Sequence, residues 1–234
     1  MKYLIGGLAL LGVVGVLLLA ARVFVYQPYT MPSASMEPGI QRGDYFIVMR
    51  QRFAPALKRG DVIVFKLPSD GRTDYLKRLI GLPGDHIQIR GGRLYINGAA
   101  VAEKALGQGV GNEPGGMQPV LLRQETTPEG RQYDIQVSVT PDGAGDNTGV
   151  YVVPAHCYFT LGDNRDDSDD SRFDPGLAPG DPKLGGCVWN SQLDDAVGDE
   201  PGVGFVPEAN LVGTLQWDFS LAPKTPGAPP QAQP

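Results

Sequence analysis

The alternation of apolar and polar residues divides the chain into one long apolar segment and many short β-like runs. Residues 86–98 alternate on both sides of Gly91-Gly92, which predicts a hairpin with a two-residue glycine turn. After the first 25 residues no stretch sustains a helical period over about 12 residues, so we predict a mostly β, antiparallel fold. Further strands are predicted at 44–50, 61–66, 75–81, 119–124, 133–139, 150–153 and 157–161.

The long apolar segment, residues 3–21, contains no charged side chain. As a helix it would span roughly 28 Å, close to the hydrocarbon thickness of a bilayer. A cleavable signal peptide is the alternative, but its apolar core covers about 7–15 residues and ends in a small-x-small site, which this run lacks. We therefore expect a single membrane anchor at 1–25 with its N-terminus in the cytoplasm, and an extracytoplasmic β domain at 26–220.

The composition favours a fold rich in turns and argues against nucleic acid as a partner. The chain holds 32 glycines and 21 prolines, about twice average usage, which favours a turn-rich β fold. Its net charge is −6 with no basic run, which excludes nucleic acid as a partner. Stretches 107–118, 141–149 and 174–203 are predicted as surface excursions, the last as a long insertion, and 221–234 as a disordered proline-rich tail.

The two cysteines, Cys157 and Cys187, leave two interpretations open. In an oxidising compartment they could form a disulfide that closes a loop of about 30 residues. They could equally be two unpaired, small apolar residues. No Cys-x-x-Cys spacing is present, so the sequence supports neither a zinc site nor thioredoxin-like redox chemistry, and we expect no metal and no cofactor.

Two serines follow the apolar segment in MPSASMEPG, residues 31–39. The prolines around Ser33 and Ser35 restrict the backbone, which suits a hydroxyl held at a fixed position, although a plain linker leaving a membrane is the alternative. A serine nucleophile needs a base. His86 and His156 are the two histidines, and without a Gly-x-Ser-x-Gly elbow the sequence does not favour a Ser-His-Asp set.

A lysine is the other candidate base. In YLKRLIGLPGD, residues 75–85, a strand would point Lys77 and Arg78 to opposite faces and turn at least one charge towards the buried side. Burial lowers the pKa of an amine, and a decrease of about two units raises its neutral fraction nearly a hundredfold. Snorkelling, or pairing with an acid, is the alternative for Lys77.

The third stretch that could carry chemistry is GDNRDDSDDSR, residues 162–172. Its mixture of aspartates, arginines and Ser168 predicts paired charges and hydrogen bonds that brace a turn. A solvated acidic loop is the alternative, and the spacing does not fit an EF-hand calcium loop.

Together these segments resemble the bacterial type I signal peptidases, membrane-anchored peptidases with a Ser-Lys dyad. The resemblance rests on MPSASMEPG, RGDYFIV, RGDVIVF, YLKRLIGLPGD, GDNRDDSDDSR and GFVPEANLVG, which lie between residues 31 and 213. It implies an antiparallel β catalytic domain at 26–220 behind one transmembrane helix. It also implies an endopeptidase that removes signal peptides from exported preproteins after Ala-x-Ala sites, on the outer side of the cytoplasmic membrane. The implied partners are these signal peptides and the lipid bilayer.

Two rival functions remain open. A specialised Ser-Lys peptidase of the conjugation type would process a single substrate, and a non-catalytic anchored β domain would only bind peptides.

The resemblance also implies roles for individual residues. Ser35 would be the nucleophile and Lys77 the general base, while Ser33 and the Ser35 N–H would form the oxyanion hole. Ser168 would orient Lys77, with Asp163–Arg78 and Asp170–Arg172 as supporting pairs. The implied substrate pockets are formed by Met31, Pro32, Met36, Ile40, Tyr75 and Leu76. Extra carboxylates beside Ser168, at 167 and 169, would raise the pKa of Lys77 unless they point away.

Overall fold

The computed structural model describes residues 12–16, 22, 24–113, 115–139, 143, 145–189 and 202–219. Of the expected anchor, 12–16, 22 and 24–25 are described, and they are helical. Within the described ranges, no helix has both the length and the apolar character needed to span a bilayer. The rest of the anchor, the 221–234 tail and residues 190–201 of the expected insertion lie outside the described residues.

The regular structure after the helical residues is antiparallel β-sheet, as predicted from the alternating pattern. In chain order the strands are β1 (Tyr26–Thr30), β2 (Tyr45–Arg50), β3 (Val62–Lys66), β4 (Asp74–Gly81), β5 (His86–Arg90), β6 (Arg93–Ile96) and β7 (Ala99–Ala100). They continue with β8 (Ala102–Glu113), β9 (Gly116–Thr126), β10 (Gln132–Ser138), β11 (Tyr151–Val152), β12 (Cys157–Leu161), β13 (Val206–Pro207) and β14 (Leu211–Phe219). Short 3-10 turns lie at Gln51–Phe53, Pro182–Leu184 and Glu208–Asn210.

These strands form three sheets. The largest has the order β1-β2-β14-β3-β4-β12-β13, the second β11-β5-β6-β7, and the third β10-β9-β8. Strand β4 lies inside the largest sheet between β3 and β12, and most of its side chains are buried. A strand covered on both faces reads as a nearly continuous apolar run, which explains the composition of 75–81.

The hairpin at 86–98 is confirmed as β5 and β6, paired from Ile87–Ile96 to Arg90–Arg93. Gly91 and Gly92 both adopt positive φ, 55° and 71°, a conformation that a two-residue turn of this type requires and that glycine adopts without strain.

The surface excursion predicted at 107–118 is an exposed hairpin rather than an irregular loop, because residues 107–113 and 116–118 belong to paired strands. The ends of β8 and β9 pair from Gly107–Leu122 to Glu113–Gly116. Glycines interrupt the alternating pattern that would identify this strand in the sequence. Packing requires glycine at 111, because a Cβ there would lie 2.6 Å from the Gln136 amide nitrogen. The absence of a Cβ there lets β8 pack directly on β10.

The excursion predicted at 174–203 is exposed at many of its described positions, but several of its side chains anchor it to the core. Cys187 forms a disulfide with Cys157 across a Cα–Cα distance of 5.7 Å. Leu184, Cys187 and Trp189 are buried, and the Trp189 ring packs 6.0 Å from the Tyr151 ring. This segment therefore completes the core beside β11 and β12. The 141–149 stretch has no regular strand where it is described, but the Thr148 hydroxyl is buried and accepts a hydrogen bond from Ile89 N–H.

Candidate active site

The turn at 31–40 places Ser35 in a buried position. Backbone hydrogen bonds from Glu37 N–H to Ala34 C=O (3.0 Å) and from Ile40 N–H to Met36 C=O (2.9 Å) hold the turn closed. Met36 and Ile40 are buried in the apolar cluster below it and do not line the cavity that contains Ser35. Apolar anchoring of this kind stabilises the turn and fixes the direction of Ser35.

The Ser35 hydroxyl lies beside a second hydroxyl. Its oxygen is 3.2 Å from that of Ser33, within hydrogen-bonding distance. On the other side of the turn, Ser35 C=O accepts a hydrogen bond of 3.1 Å from Asn164 N–H. Ser35 is therefore fixed through both its side chain and its backbone.

Strand β4 sends Lys77 and Arg78 to opposite faces. The Lys77 side chain is 3% exposed, and its Nζ donates a hydrogen bond of 2.9 Å to Ser168 Oγ. Arg78 instead donates two hydrogen bonds to Asp163, at 2.7 and 2.6 Å, and its guanidinium lies 4.3 Å from the centre of the Tyr133 ring. The arginine keeps a carboxylate partner, whereas the lysine contacts a neutral hydroxyl.

The loop at 162–172 supplies a relay of hydrogen bonds to Lys77. Ser168 Oγ donates to Asp170 Oδ2 at 3.0 Å, and the same carboxylate accepts from Arg172 Nε at 2.9 Å and from Gly162 N–H at 3.0 Å. Burial alone raises the pKa of Asp170, but the Arg172 guanidinium, the Lys77 charge and the Gly162 N–H together outweigh burial and keep that pKa below its ordinary value. Asp170 is therefore ionised and can hold Ser168 in one orientation.

Burial lowers the pKa of Lys77 from 10.5 to about 8. Asp170, Asp169 and Asp167 act in the opposite direction, and the Arg172 charge adds to the lowering. Desolvation is the largest of these effects, so the ammonium loses its proton at a far lower pH than an exposed lysine does.

Ser35 and Lys77 line one cavity of about 490 Å³. Of the implied pocket residues, Met31, Pro32, Tyr75 and Leu76 line it as well. Sequence reasoning missed further lining residues, among them Tyr29, Thr30, Arg42, Phe46, Val64 and Asp74. Tyr29 and Thr30 lie on β1, and their place beside the site follows from the pairing of β1 with β2.

The chain is similar in sequence to known signal peptidases. The family model described as signal peptidase, peptidase S26, matches residues 4–219. Signal peptidase I of Pseudomonas aeruginosa is 34% identical over 215 residues, covering 84% of this chain and 66% of that protein. Signal peptidase I of Pseudomonas fluorescens is 34% identical over 229 residues, covering 86% and 75% respectively. A crystal structure of a signal peptidase I from Enterococcus faecalis V583 is 25% identical, covering 69% of this chain and 98% of that one, with a TM-score of 0.35.

The family model covers nearly the whole chain, and about a third of the aligned residues are identical in each Pseudomonas relative. The resemblance inferred from the sequence motifs is thereby confirmed. This chain belongs to the signal peptidase family, peptidase S26, and is by family a peptide-bond hydrolase.

Proposed function

We propose that this chain is a membrane-bound serine endopeptidase that removes signal peptides from exported preproteins, with Ser35 as nucleophile and neutral Lys77 as base. The observation that carries the proposal is the burial of Lys77 in the same cavity as Ser35, with a hydroxyl as its hydrogen-bond partner. A buried amine without a direct carboxylate partner is neutral far more often than an exposed one, and only the neutral form can accept a proton.

In the acylation step, Lys77 Nζ takes the proton of Ser35 Oγ as that oxygen attacks the carbonyl carbon of the scissile bond. The protonated Lys77 then gives its proton to the leaving amine, which departs as the new N-terminus of the mature protein. The acyl group stays on Ser35. In the second step neutral Lys77 takes a proton from water as the water attacks the ester, and Lys77 then returns this proton to Ser35 Oγ as the signal peptide leaves with a C-terminal carboxyl group.

Ser33 is close enough to Ser35 to stabilise the charge that develops in each step. With its hydroxyl 3.2 Å from the nucleophile, a small rotation turns Ser33 towards an oxyanion formed there. The Ser35 N–H supplies the second donor. Removing one such donor typically lowers kcat by about 10²–10³-fold.

Ser168 sets the direction of the Lys77 lone pair. A neutral amine has two N–H groups and one lone pair, and the hydrogen bond to Ser168 Oγ occupies one N–H. Asp170 accepts the Ser168 proton, so the Ser168 oxygen must face Lys77 as an acceptor. This arrangement leaves the lone pair of Lys77 available to Ser35.

The substrate would bind as an extended strand in the cavity, where small residues of an Ala-x-Ala site face Met31, Tyr75 and Leu76. The apolar segment at 3–21 would hold the enzyme at the membrane surface, where signal peptides emerge. A disulfide between Cys157 and Cys187 fits a catalytic domain on the extracytoplasmic side, because that compartment is oxidising.

The test is cleavage of a preprotein bearing Ala-x-Ala by the full chain in detergent, at pH 8.5. We expect one cut after the second alanine, and no cut when leucines replace both alanines. Ser35→Ala and Lys77→Ala should each lower kcat by at least about 10³-fold without unfolding the protein. Wild-type activity in Lys77→Ala would contradict the assigned base. Cleavage of one preprotein among many would favour the single-substrate alternative, and binding without any cleavage would favour the non-catalytic one.

A further inference from the structure

A closed ring of hydrogen bonds joins the Ser35 turn to the tip of the β8–β9 hairpin. Asn164 N–H donates to Ser35 C=O at 3.1 Å, and Asn164 Nδ2 donates to Asn112 C=O at 2.7 Å. Asn112 Nδ2 in turn donates to Glu37 Oε1 at 2.8 Å. Glu37 lies two residues after Ser35, so the ring returns to the turn where it began.

The ring is buried and backed by a second strand. Asn164 is fully buried, and Glu37 has 9% of its surface exposed. Behind them Gln136 on β10 donates to Asn112 C=O at 3.3 Å and forms an isolated parallel bridge with Asn164. Because Gly111 has no side chain, β8 lies directly against Gln136. Gln136 and Asn164 thus connect the hairpin tip to the loop at 162–172.

We propose that Glu37 and Asn112 are positioning residues for the reaction: the hairpin tip locks the turn that aims Ser35 at the scissile carbonyl. This inference rests on the proposed function, since it concerns the same nucleophile. Neither residue lines the cavity, so neither is placed to touch the substrate. Their effect passes through the Ser35 backbone, whose displacement by about 1 Å is enough to lower kcat about a hundredfold.

The polarity of the Asn112–Glu37 bond gives a specific test. Asn112→Asp replaces the donor by a carboxylate that faces the Glu37 carboxylate. Glu37→Gln keeps an oxygen that can accept from Asn112. In the double variant, Gln at 37 donates to Asp at 112, so the same hydrogen bond forms with donor and acceptor exchanged.

A matched control exists in the same sheet. Gln124 Nε2 donates to Asp134 Oδ1 at 3.0 Å, another amide–carboxylate bond between neighbouring strands. Like Asn112→Asp, Gln124→Glu places two carboxylates next to each other, here across a pair of strands. This bond belongs to no part of the ring, so Gln124→Glu should change stability without changing kcat.

The experiment measures kcat, KM and melting temperature for the full-length variants in detergent with the Ala-x-Ala preprotein. We expect Asn112→Asp to lower kcat at least about tenfold with KM within about threefold, and the double variant to regain most of that loss. Glu37→Gln keeps one oxygen that can accept from Asn112 and should lower kcat less than Asn112→Asp does, whereas Gln124→Glu should keep wild-type kcat. If Asn112→Asp does not fold, Asn112→Ala removes the donor without adding charge and is expected to show the same separation of kcat from KM.

Two results would overturn the inference. One is wild-type kcat in both Asn112→Asp and Asn112→Ala. The other is a folded double variant with the wild-type melting temperature that remains as slow as Asn112→Asp. If the proposed function itself is wrong, wild type will not cleave the preprotein, or Ser35→Ala will keep full activity.

Discussion

Gly162 lies where the loop at 162–172 packs against the turn that carries Ser35. A Cβ added there would lie 2.2 Å from Ser168 Oγ and 2.6 Å from Ser35 C=O. Cβ atoms in proteins essentially never approach another heavy atom closer than 3.0 Å. Gly162→Ala therefore requires either that Ser168 moves by about 0.8 Å and the Ser35 backbone by about 0.4 Å, or that the loop shifts as a whole.

These displacements act on both proposed catalytic groups, because Ser168 orients Lys77 and the Ser35 backbone aims its hydroxyl. Overpacking of this kind destabilises a fold by about 1–3 kcal/mol, which a domain of this size survives. A misplacement near 1 Å can lower kcat about a hundredfold. We therefore expect Gly162→Ala to be folded at 25 °C, with a lower melting temperature and a kcat reduced by about 30–100-fold.

Gly39→Ala is the matched control. A Cβ there would meet Asp163 Oδ2 at 3.5 Å and Met36 C=O at 3.6 Å, both ordinary contacts, although Gly39 belongs to the same turn as Ser35. We expect it to cleave within about twofold of wild type. Both kcat and the melting temperature are measured for wild type, Gly162→Ala and Gly39→Ala. Wild-type kcat in Gly162→Ala would refute the close approach of the 162–172 loop to the Ser35 turn.

The remaining predictions concern charge and the disulfide. Asp169 raises the pKa of Lys77, so Asp169→Asn should move the acid limb of the pH–rate profile to lower pH; an unmoved limb would count against that contact. Burial raises the pKa of Glu113 to about 7, so its contribution to stability is present at pH 4 and is lost as pH rises through 7. Glu113→Gln should therefore melt higher than wild type at pH 8 and equally near pH 4. Replacing Cys157 and Cys187 by alanine should lower the free energy of unfolding by about 3–4 kcal/mol, measured by denaturant titration, and an unchanged value would contradict a stabilising disulfide.

The strands that could be predicted from the sequence are those whose signal is local. In β4 the period of two alone requires Lys77 and Arg78 to face opposite sides, and the apolar neighbours identify the sheet as buried. The hairpin at 86–98 could also be predicted, because two glycines between alternating runs are typical of a two-residue hairpin turn. Such local patterns predict that at least one of these two charges faces the buried side, whereas the contact of Lys77 with Ser168 joins residues that are 91 positions apart.

The features that could not be predicted depend on contacts between residues that are far apart in the sequence. In β8 the glycines and polar residues give no alternation, and the strand exists because β9 pairs with it along its whole length. The bond between Asn112 and Glu37 spans 75 positions. The burial of Trp189 depends on Tyr151, which no periodicity connects to it. Contacts of this kind are decided by tertiary packing rather than by local preference.

The measurement that tests the central claim most directly is the pH dependence of kcat/KM for wild type between pH 6 and 10. A neutral Lys77 is required, and burial brings its pKa to about 8. We therefore predict that kcat/KM rises tenfold per pH unit below pH 8 and levels off above it. A limb that continues to rise towards pH 10, as for an exposed lysine, or a rate that is flat across the whole range, would contradict the account of Lys77 as a base made neutral by burial.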